Sequence, residues 1–217
     1  MTERAQEVRN LASAVRDLIH QMVATAAPVE VFAGVAEEIR EVARRFEPYP
    51  QEYLYHGAGE SALADAESVG SDYEGPFDNS PVMGRANPLA PPLKLQLLDD
   101  KVVGTAVFGS AYEGPPGCVH GGYVAAAFDE LLGLAQTLGG SPGMTGRLIV
   151  HYRSPTPLNT ELRLEGAIDR IEGRKTICTG QVWAGDRLCA ESEGLFVSVD
   201  FSKIAALAEQ SDRRLSR

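Results

Sequence analysis

One stretch of the chain combines an unusual set of chemical groups. It begins at Gly114 and reads GPPGCVHGGYVAAAFDELLG, so a histidine and two glycines precede an apolar run that two carboxylates interrupt. The run from Tyr123 to Leu138 is too long for a strand and has no polar stripe, which predicts a helix buried on nearly all sides. An unpaired carboxylate is costly in such surroundings. Asp129 is therefore expected to face a cavity or to reach a partner outside the helix.

The two glycines at the start of this predicted helix favour the binding of a negative charge. The first N–H groups of a helix have no partner within it, and they lie at the positive end of the helix dipole. A glycine also allows a ligand to approach the backbone closely. We expect the Gly122 amide, with Gly121 beside it, to hold an oxyanion, while Asp129 activates water or attacks a carbonyl. This combination suits acyl transfer.

The same residues, together with segments further along the chain, resemble the hotdog-fold acyl-CoA thioesterases of the PaaI-like class. The match to the carboxyl-terminal modulator protein type is closer still, and it covers roughly residues 80–200. The segments that carry it are His120-Gly121-Gly122 with Asp129 nine positions after the histidine, Met144-Thr145, His151-Tyr152-Arg153, Pro155 to Leu158, and Glu172-Gly173-Arg174-Lys175. The resemblance implies an α+β hotdog fold, in which an antiparallel sheet of about six strands wraps round one long helix.

The resemblance also implies roles for individual side chains. Asp129 occupies the position of the family's catalytic acid, and Thr145 occupies that of a hydroxyl residue that positions the water. His120 would lie beside the thioester carbonyl or support the loop. Glu130 is the alternative carboxylate, about 100° further round the helix, and an ion pair at a dimer interface is its other interpretation.

Two features near the histidine limit what can be carried over. Many PaaI-like enzymes have Asn or Gln six residues before the histidine, where this chain has Gly114. Polarisation of the carbonyl must then come from backbone amides or from another side chain. Cys118 suggests a Cys–His nucleophile with His120. Two residues apart in a turn rarely align a thiol with an imidazole, so this interpretation is not favoured.

Charge and composition restrict the partners. The formal net charge of −10 argues against a nucleic-acid surface, and no polybasic segment suggests a membrane anchor. An anionic acyl-CoA, or an acyl-carrier thioester, would bind through local cations, for which Arg153, Arg174 and Lys175 are the candidates. The four histidines have no metal-ligand spacing, and no metal or other cofactor is expected.

The cysteines and the first residues bear on the compartment. Three cysteines without a Cys-x-x-Cys pair indicate free thiols in a reducing environment. The charged start lacks the apolar core of a signal peptide. We therefore expect a cytoplasmic protein.

Periodicity divides the chain into four parts. We expect a helical extension over 1–47, a connector or lid that closes over the active site over 48–92, the hotdog domain over 93–201 and a polar tail over 202–217. The extension holds helices over 4–24 and about 31–46. The expected strands are 93–97, 102–112, 147–153, 162–171, 176–184 and 188–199, with the last four in a meander. Because such a sheet covers only part of its helix, a homodimer or a dimer of dimers is expected.

Two other functions remain open at the level of sequence. A hotdog hydratase-dehydratase acting on enoyl thioesters needs a histidine and a carboxylate together over the acyl chain, and no clear motif for it is present. A non-catalytic acyl-CoA-binding module would bind without turnover. The length and aromaticity of the acyl group are not determined by the sequence.

Overall fold

The computed structural model describes residues 2–49, 76–141 and 143–199. Its centre is one antiparallel sheet of six strands packed on one helix. The strands are β1 (Leu93–Leu97), β2 (Val102–Ala106), β3 (Gly143–Tyr152), β4 (Leu162–Glu172), β5 (Lys175–Ala184) and β6 (Arg187–Ser198). The helices are α1 (Glu3–Ala24), α2 (Val29–Arg44) and α3 (Gly121–Ala135). This is the predicted hotdog architecture, with the central helix between the second and third strands.

The order of strands differs from the expected meander. The sheet runs β1-β2-β4-β5-β6-β3, so only β4, β5 and β6 form a meander. The third strand pairs with β6 instead of β4, with Tyr152 opposite Ala190 and Met144 opposite Val197. The chain must therefore cross the sheet after β3, and this crossing leaves β3 as an edge strand. Local sequence patterns predict where a strand lies but not which other strand it pairs with in the sheet.

Three element boundaries were also wrong. The second strand ends at Ala106, not near residue 112, because the chain leaves the sheet and makes a short 3-10 turn at Ser110–Tyr112. The central helix ends at Ala135 and continues only as a 3-10 turn to Gly139. Strand β3 starts four residues earlier than expected, at Gly143.

The core lies between α3 and the concave face of the sheet. Phe128, Leu131 and Leu132 are fully buried there. Gly166 and Gly180 lie beneath the two leucines, where an added Cβ would come within 2.9 to 3.0 Å of a leucine side chain. These glycines allow the helix to sit close to the sheet. The opposite side of α3 is open, so the prediction of burial on nearly all sides was wrong for a single chain.

The first helix is joined to the domain by side-chain contacts, whereas no hydrogen bond or ion pair joins the second helix to it within the described residues. The Arg9 guanidinium forms a buried ion pair with Asp78 at 2.6 Å. The His20 ring accepts a hydrogen bond from the Ala111 N–H at 3.2 Å. Helix α2 has no buried residue, and most of its apolar side chains, Phe32 among them, stay exposed. Residues 50–75 of the expected lid and the tail 202–217 lie outside the described residues.

Candidate active site

The start of α3 is held in place by the turn before it. Val119 N–H donates to the Thr156 carbonyl and His120 N–H donates to the Tyr112 carbonyl, both at 2.8 Å. Gly114 packs directly on His120, where an added Cβ would lie 2.7 Å from the histidine Cα. A side chain such as Asn or Gln does not fit at this position. Backbone groups are thus the polar groups that the turn presents.

The two glycine amides differ in availability. Gly122 N–H donates to the His120 Nδ1 at 3.0 Å, and His120 caps the helix in this way. Gly121 N–H has no acceptor among the described residues. We expected Gly122 to be the principal oxyanion donor, but Gly121 carries the open N–H in this state. Because Nδ1 accepts, a neutral His120 ring carries its proton on Nε2.

A tyrosine at the end of β3 completes this cluster. The Tyr152 hydroxyl donates to the Gly121 carbonyl oxygen at 2.8 Å. Tyr152 belongs to the segment His151-Tyr152-Arg153 that resembles the thioesterase family, but the resemblance gave it no role. Its only signal in the sequence was its place beside Arg153 in one of the matching segments, because the contact joins residues 31 positions apart.

Asp129 and Thr145 form the second cluster. The Thr145 Oγ1 donates to the Asp129 Oδ1 at 2.9 Å. Each residue had a predicted role, but this contact between them was not predicted. Both residues are exposed in the single chain. Asp129 is therefore not buried, contrary to expectation, since it lies on the side of α3 that the sheet does not cover. Its second oxygen has no partner within the described residues.

Glu130 is the carboxyl group that meets the buried environment. It accepts a hydrogen bond from the Ser80 Oγ at 3.1 Å. Burial raises the pKa of Glu130 to about 7, the Ser80 hydrogen bond opposes this rise, and the charge of Asp129 adds to it. In the described part of the chain Glu130 makes no ion pair. It faces the connector, away from Thr145.

The three candidate cations do not form one group. The Arg153 Nε donates to the Glu191 Oε1 at 2.9 Å, so Arg153 is already paired. Lys175 pairs in register with Val197, which pairs with Met144. Arg153 comes nine residues after Met144, which places it about 30 Å along the strand from that end of the sheet. Arg174 and Lys175 are exposed at the same end as Thr145.

The remaining sequence-based alternatives find little support in local contacts. The Cys118 thiol lies 3.6 Å from the Pro116 carbonyl oxygen. It does not contact the His120 Nδ1, which accepts a hydrogen bond from the Gly122 N–H.

Over the described ranges, no group of three or more His, Cys, Asp or Glu side chains is arranged to hold a metal ion. Within those ranges, too, none of the helices has the length and apolar character that crossing a membrane requires.

One chain therefore carries two separate clusters. Gly121 and Asp129 are eight residues apart on α3, which corresponds to about 12 Å along the helix axis. A thioester carbonyl cannot contact an amide and a carboxylate that are this far apart. The two clusters are the helix-start cluster (His120, Gly121, Gly122 and Tyr152) and the carboxylate cluster (Asp129 and Thr145).

Comparison with known proteins agrees with this fold. The model of the thioesterase superfamily matches residues 116–191. The chain is similar to acyl-coenzyme A thioesterase THEM4 of Xenopus laevis (33% identity over 93 residues, 42% of each chain) and to THEM5 of Homo sapiens (29% over 97 residues, 44% of this chain and 39% of that protein). It thus spans about two fifths of the length of these curated relatives. A crystal structure described as a thioesterase superfamily protein superimposes with a TM-score of 0.73 at 34% identity, over 88% of this chain and 94% of the other.

Proposed function

The chain belongs to the thioesterase superfamily, and from this membership we propose that it is an acyl-CoA thioesterase, which hydrolyses an acyl thioester to a free acid and CoA. The observation that carries the proposal is the hydrogen bond of 2.9 Å from Thr145 to Asp129 on the open side of α3. It holds one carboxylate oxygen and leaves the other directed to solvent. A carboxylate oriented in this way can act on a water molecule or on a carbonyl carbon.

The reaction needs a base or nucleophile and a donor for the oxyanion. Asp129 removes a proton from water as the water oxygen attacks the thioester carbon, or its own oxygen attacks to give an anhydride that water then cleaves. In both routes the carbonyl oxygen becomes negative and accepts from Gly121 N–H at the positive end of α3. The C–S bond breaks as this oxyanion collapses, which gives the free acid in the first route and the anhydride in the second, and CoA leaves as a thiolate that takes up a proton. A neutral His120 adds its Nε2–H beside this position.

The active site is completed by a second copy of the chain. The separation of about 12 Å between Gly121 and Asp129 within one chain supports a homodimer in which each subunit supplies one cluster to each of two sites. Strand β3 is at the sheet edge and exposes Met144, Ile149 and Tyr152. An exposed edge strand with apolar side chains is suited to pairing with another chain.

A particular register brings the two clusters together. If two β3 strands pair antiparallel about an axis between Leu148 and Ile149, Tyr152 lies opposite the partner's Thr145, because both are equally far from the axis. The residues Gly122, Ala126, Asp129 and Gly133 recur at helical spacing on the open side of α3. Their small side chains would allow the two central helices to approach across this axis.

The substrate's CoA portion is expected at the end of the sheet that carries Arg174 and Lys175. The Arg174 guanidinium donates to the Ser198 carbonyl at 2.8 Å and keeps other N–H groups available. In the register above, this end of one subunit adjoins the helix start of the other. Arg153, whose charge Glu191 satisfies, is not part of this phosphate site.

We also propose a cytoplasmic location. Support comes from the cysteines, since Cys118, Cys178 and Cys189 are all free thiols in the structure. Free thiols are typical of reducing compartments.

The decisive experiment is hydrolysis of a panel of acyl-CoA esters by the purified protein and by Asp129→Asn. This substitution removes the base or nucleophile but retains an oxygen that Thr145 can contact. We expect kcat to fall by about a hundredfold or more. Asp100→Asn, an exposed aspartate in the turn after β1, is the matched control and should retain wild-type activity. Unchanged turnover in Asp129→Asn would refute the assignment of Asp129, and failure of the wild-type protein to hydrolyse any ester would refute the function.

A further inference from the structure

The carbonyl of Gly121 has a partner that ordinary helix formation does not require. In the first turn of a helix, this carbonyl already accepts from the N–H four residues later. The Tyr152 hydroxyl makes a second hydrogen bond to the same oxygen, at 2.8 Å. A carbonyl oxygen has two lone pairs, so both bonds can form together. The tyrosine comes from the last position of β3, and it joins the sheet edge to the helix start.

Core packing does not account for this tyrosine. Tyr152 is 55% exposed in the single chain. Its ring lies against Gly121, where an added Cβ would be 3.2 Å from the tyrosine oxygen and 3.3 Å from Cζ. The glycine thus allows this close contact, which a side chain at this position would force to shift by a few tenths of an ångström. Tyr152 covers the backbone of the residue that carries the open N–H.

The two peptide groups around Gly121 are held from three directions. The carbonyl of His120, which shares a peptide group with the Gly121 N–H, accepts from Tyr123 N–H at 2.9 Å and from Val124 N–H at 3.3 Å. The next peptide group is bound at its carbonyl by Tyr152 and at its N–H by the His120 ring. Together these bonds fix the backbone orientation of Gly121. Of the N–H and carbonyl groups in these two peptide groups, the Gly121 N–H alone has no partner among the described residues.

We propose that Tyr152 is a positioning residue for the oxyanion donor. Its hydroxyl fixes the Gly121 carbonyl and thereby sets the direction of the Gly121 N–H. This inference rests on the proposed thioesterase function. Preorganised donors act on the charge that develops in the transition state, so a loss of alignment should lower kcat more than it changes KM.

The test compares Tyr152→Phe with wild type for hydrolysis of the best acyl-CoA ester. The phenylalanine keeps the ring on Gly121 and removes only the hydroxyl. We expect kcat to fall about tenfold, as for the loss of one hydrogen bond, with KM within about twofold and an unchanged Tm. The amide resonances of Gly121 and Gly122 should shift in an NMR spectrum of the labelled protein.

Tyr123→Phe is the matched control. Tyr123 lies on the same turn, and its hydroxyl has no hydrogen bond within the described residues. This variant should keep wild-type kcat. If Tyr152→Phe also keeps wild-type kcat, or loses activity only through KM or Tm, the inference is rejected while the proposed function stands. If the wild-type protein itself hydrolyses no acyl-CoA ester, both are rejected.

Discussion

Asp129 and Glu130 are adjacent in sequence but have different environments. Successive helix residues point about 100° apart, and here that angle separates an open side of α3 from one that the connector covers. Asp129 is exposed and bound by Thr145, whereas Glu130 is bound by Ser80, whose side chain is fully buried. The rise in the pKa of Glu130 to about 7 follows from burial first. A perturbed carboxyl group alone therefore does not identify the catalytic one.

Thr145→Val tests the orientation of Asp129. Valine has nearly the same shape but cannot donate the hydrogen bond of 2.9 Å. We expect kcat to fall about tenfold, because the carboxylate is no longer held in one orientation. Steady-state hydrolysis of an acyl-CoA ester measures this. Thr105→Val, at an exposed position on β2, should keep wild-type kcat. If Thr145→Val keeps wild-type kcat as well, the Thr145 hydroxyl is dispensable.

At the scale of elements, the last part of the connector links α1 to α3. Asp78 pairs with Arg9 of α1, and Ser80 donates to Glu130 of α3. The chain turns back on itself between Asp78 and Ala86. An added Cβ on Gly84 would lie only 2.3 Å from the Asp78 carbonyl oxygen, so this turn is tight. The N-terminal helix is thus connected, through one short turn, to the residue that follows Asp129.

Glu130→Gln tests this link through the pH dependence of stability. The pKa of Glu130 rises from 4.5 to about 7 on folding. A raised carboxyl pKa means that the folded state binds the proton more tightly, so the stabilisation is full below pH 4.5 and is lost as the pH rises through 7. Glutamine resembles the protonated acid and still accepts from Ser80. We expect equal stability near pH 4 and a variant that is about 2–3 kcal/mol more stable at pH 8.5.

Urea unfolding of both proteins across this pH range measures the difference. Glu161→Gln, at an exposed position before β4, controls for the loss of one negative charge from an acidic protein. A stability difference for Glu130→Gln that does not vary between pH 4 and pH 8.5 would contradict the buried environment of Glu130.

At the scale of the whole molecule, the site is divided between the two ends of β3. Tyr152 contacts the helix start, and Thr145 contacts Asp129. Seven residues of strand separate them, which is about 23 Å. The sheet keeps the two clusters apart within a chain, and the proposed active site therefore combines them from two chains that run in opposite directions.

Subunit complementation tests this division. Co-expression of Asp129→Asn with Gly121→Val gives mixed dimers in which one of the two sites has both wild-type residues. Each variant alone should be a folded, inactive dimer by size-exclusion chromatography with light scattering. We expect the mixed preparation to recover roughly a quarter of wild-type activity, since about half the dimers are mixed and each has one intact site. If both residues act within one chain, no activity returns.

The sequence predicted the architecture because its elements are locally marked. Alternation at β1, the glycine turns at Gly173 and Gly185, and the long apolar run of α3 each follow from nearest-neighbour chemistry. The pairing of β3 with β6 could not be predicted in this way, because strand choice depends on contacts between residues far apart in sequence. The early end of the second strand had the same cause.

What the sequence alone determined was the inventory of the site: a glycine pair at a helix start, a carboxylate two turns later and a hydroxyl on the next strand. The glycine pair and the carboxylate follow from residue types and spacing, which set the helix dipole and the positions of free amides, whereas the role of the Thr145 hydroxyl came from the resemblance to the thioesterase family. The tertiary structure decided which members of that inventory are available. The Gly121 N–H is without a partner among the described residues, whereas the Gly122 N–H is bound by His120. Asp129 is exposed, whereas Glu130 is bound by Ser80. Arg153 is hydrogen-bonded to Glu191. The contacts of Glu130 and Arg153 join residues 50 and 38 positions apart, which folding alone brings within hydrogen-bonding distance, whereas the Gly122 amide binds a side chain only two residues before it.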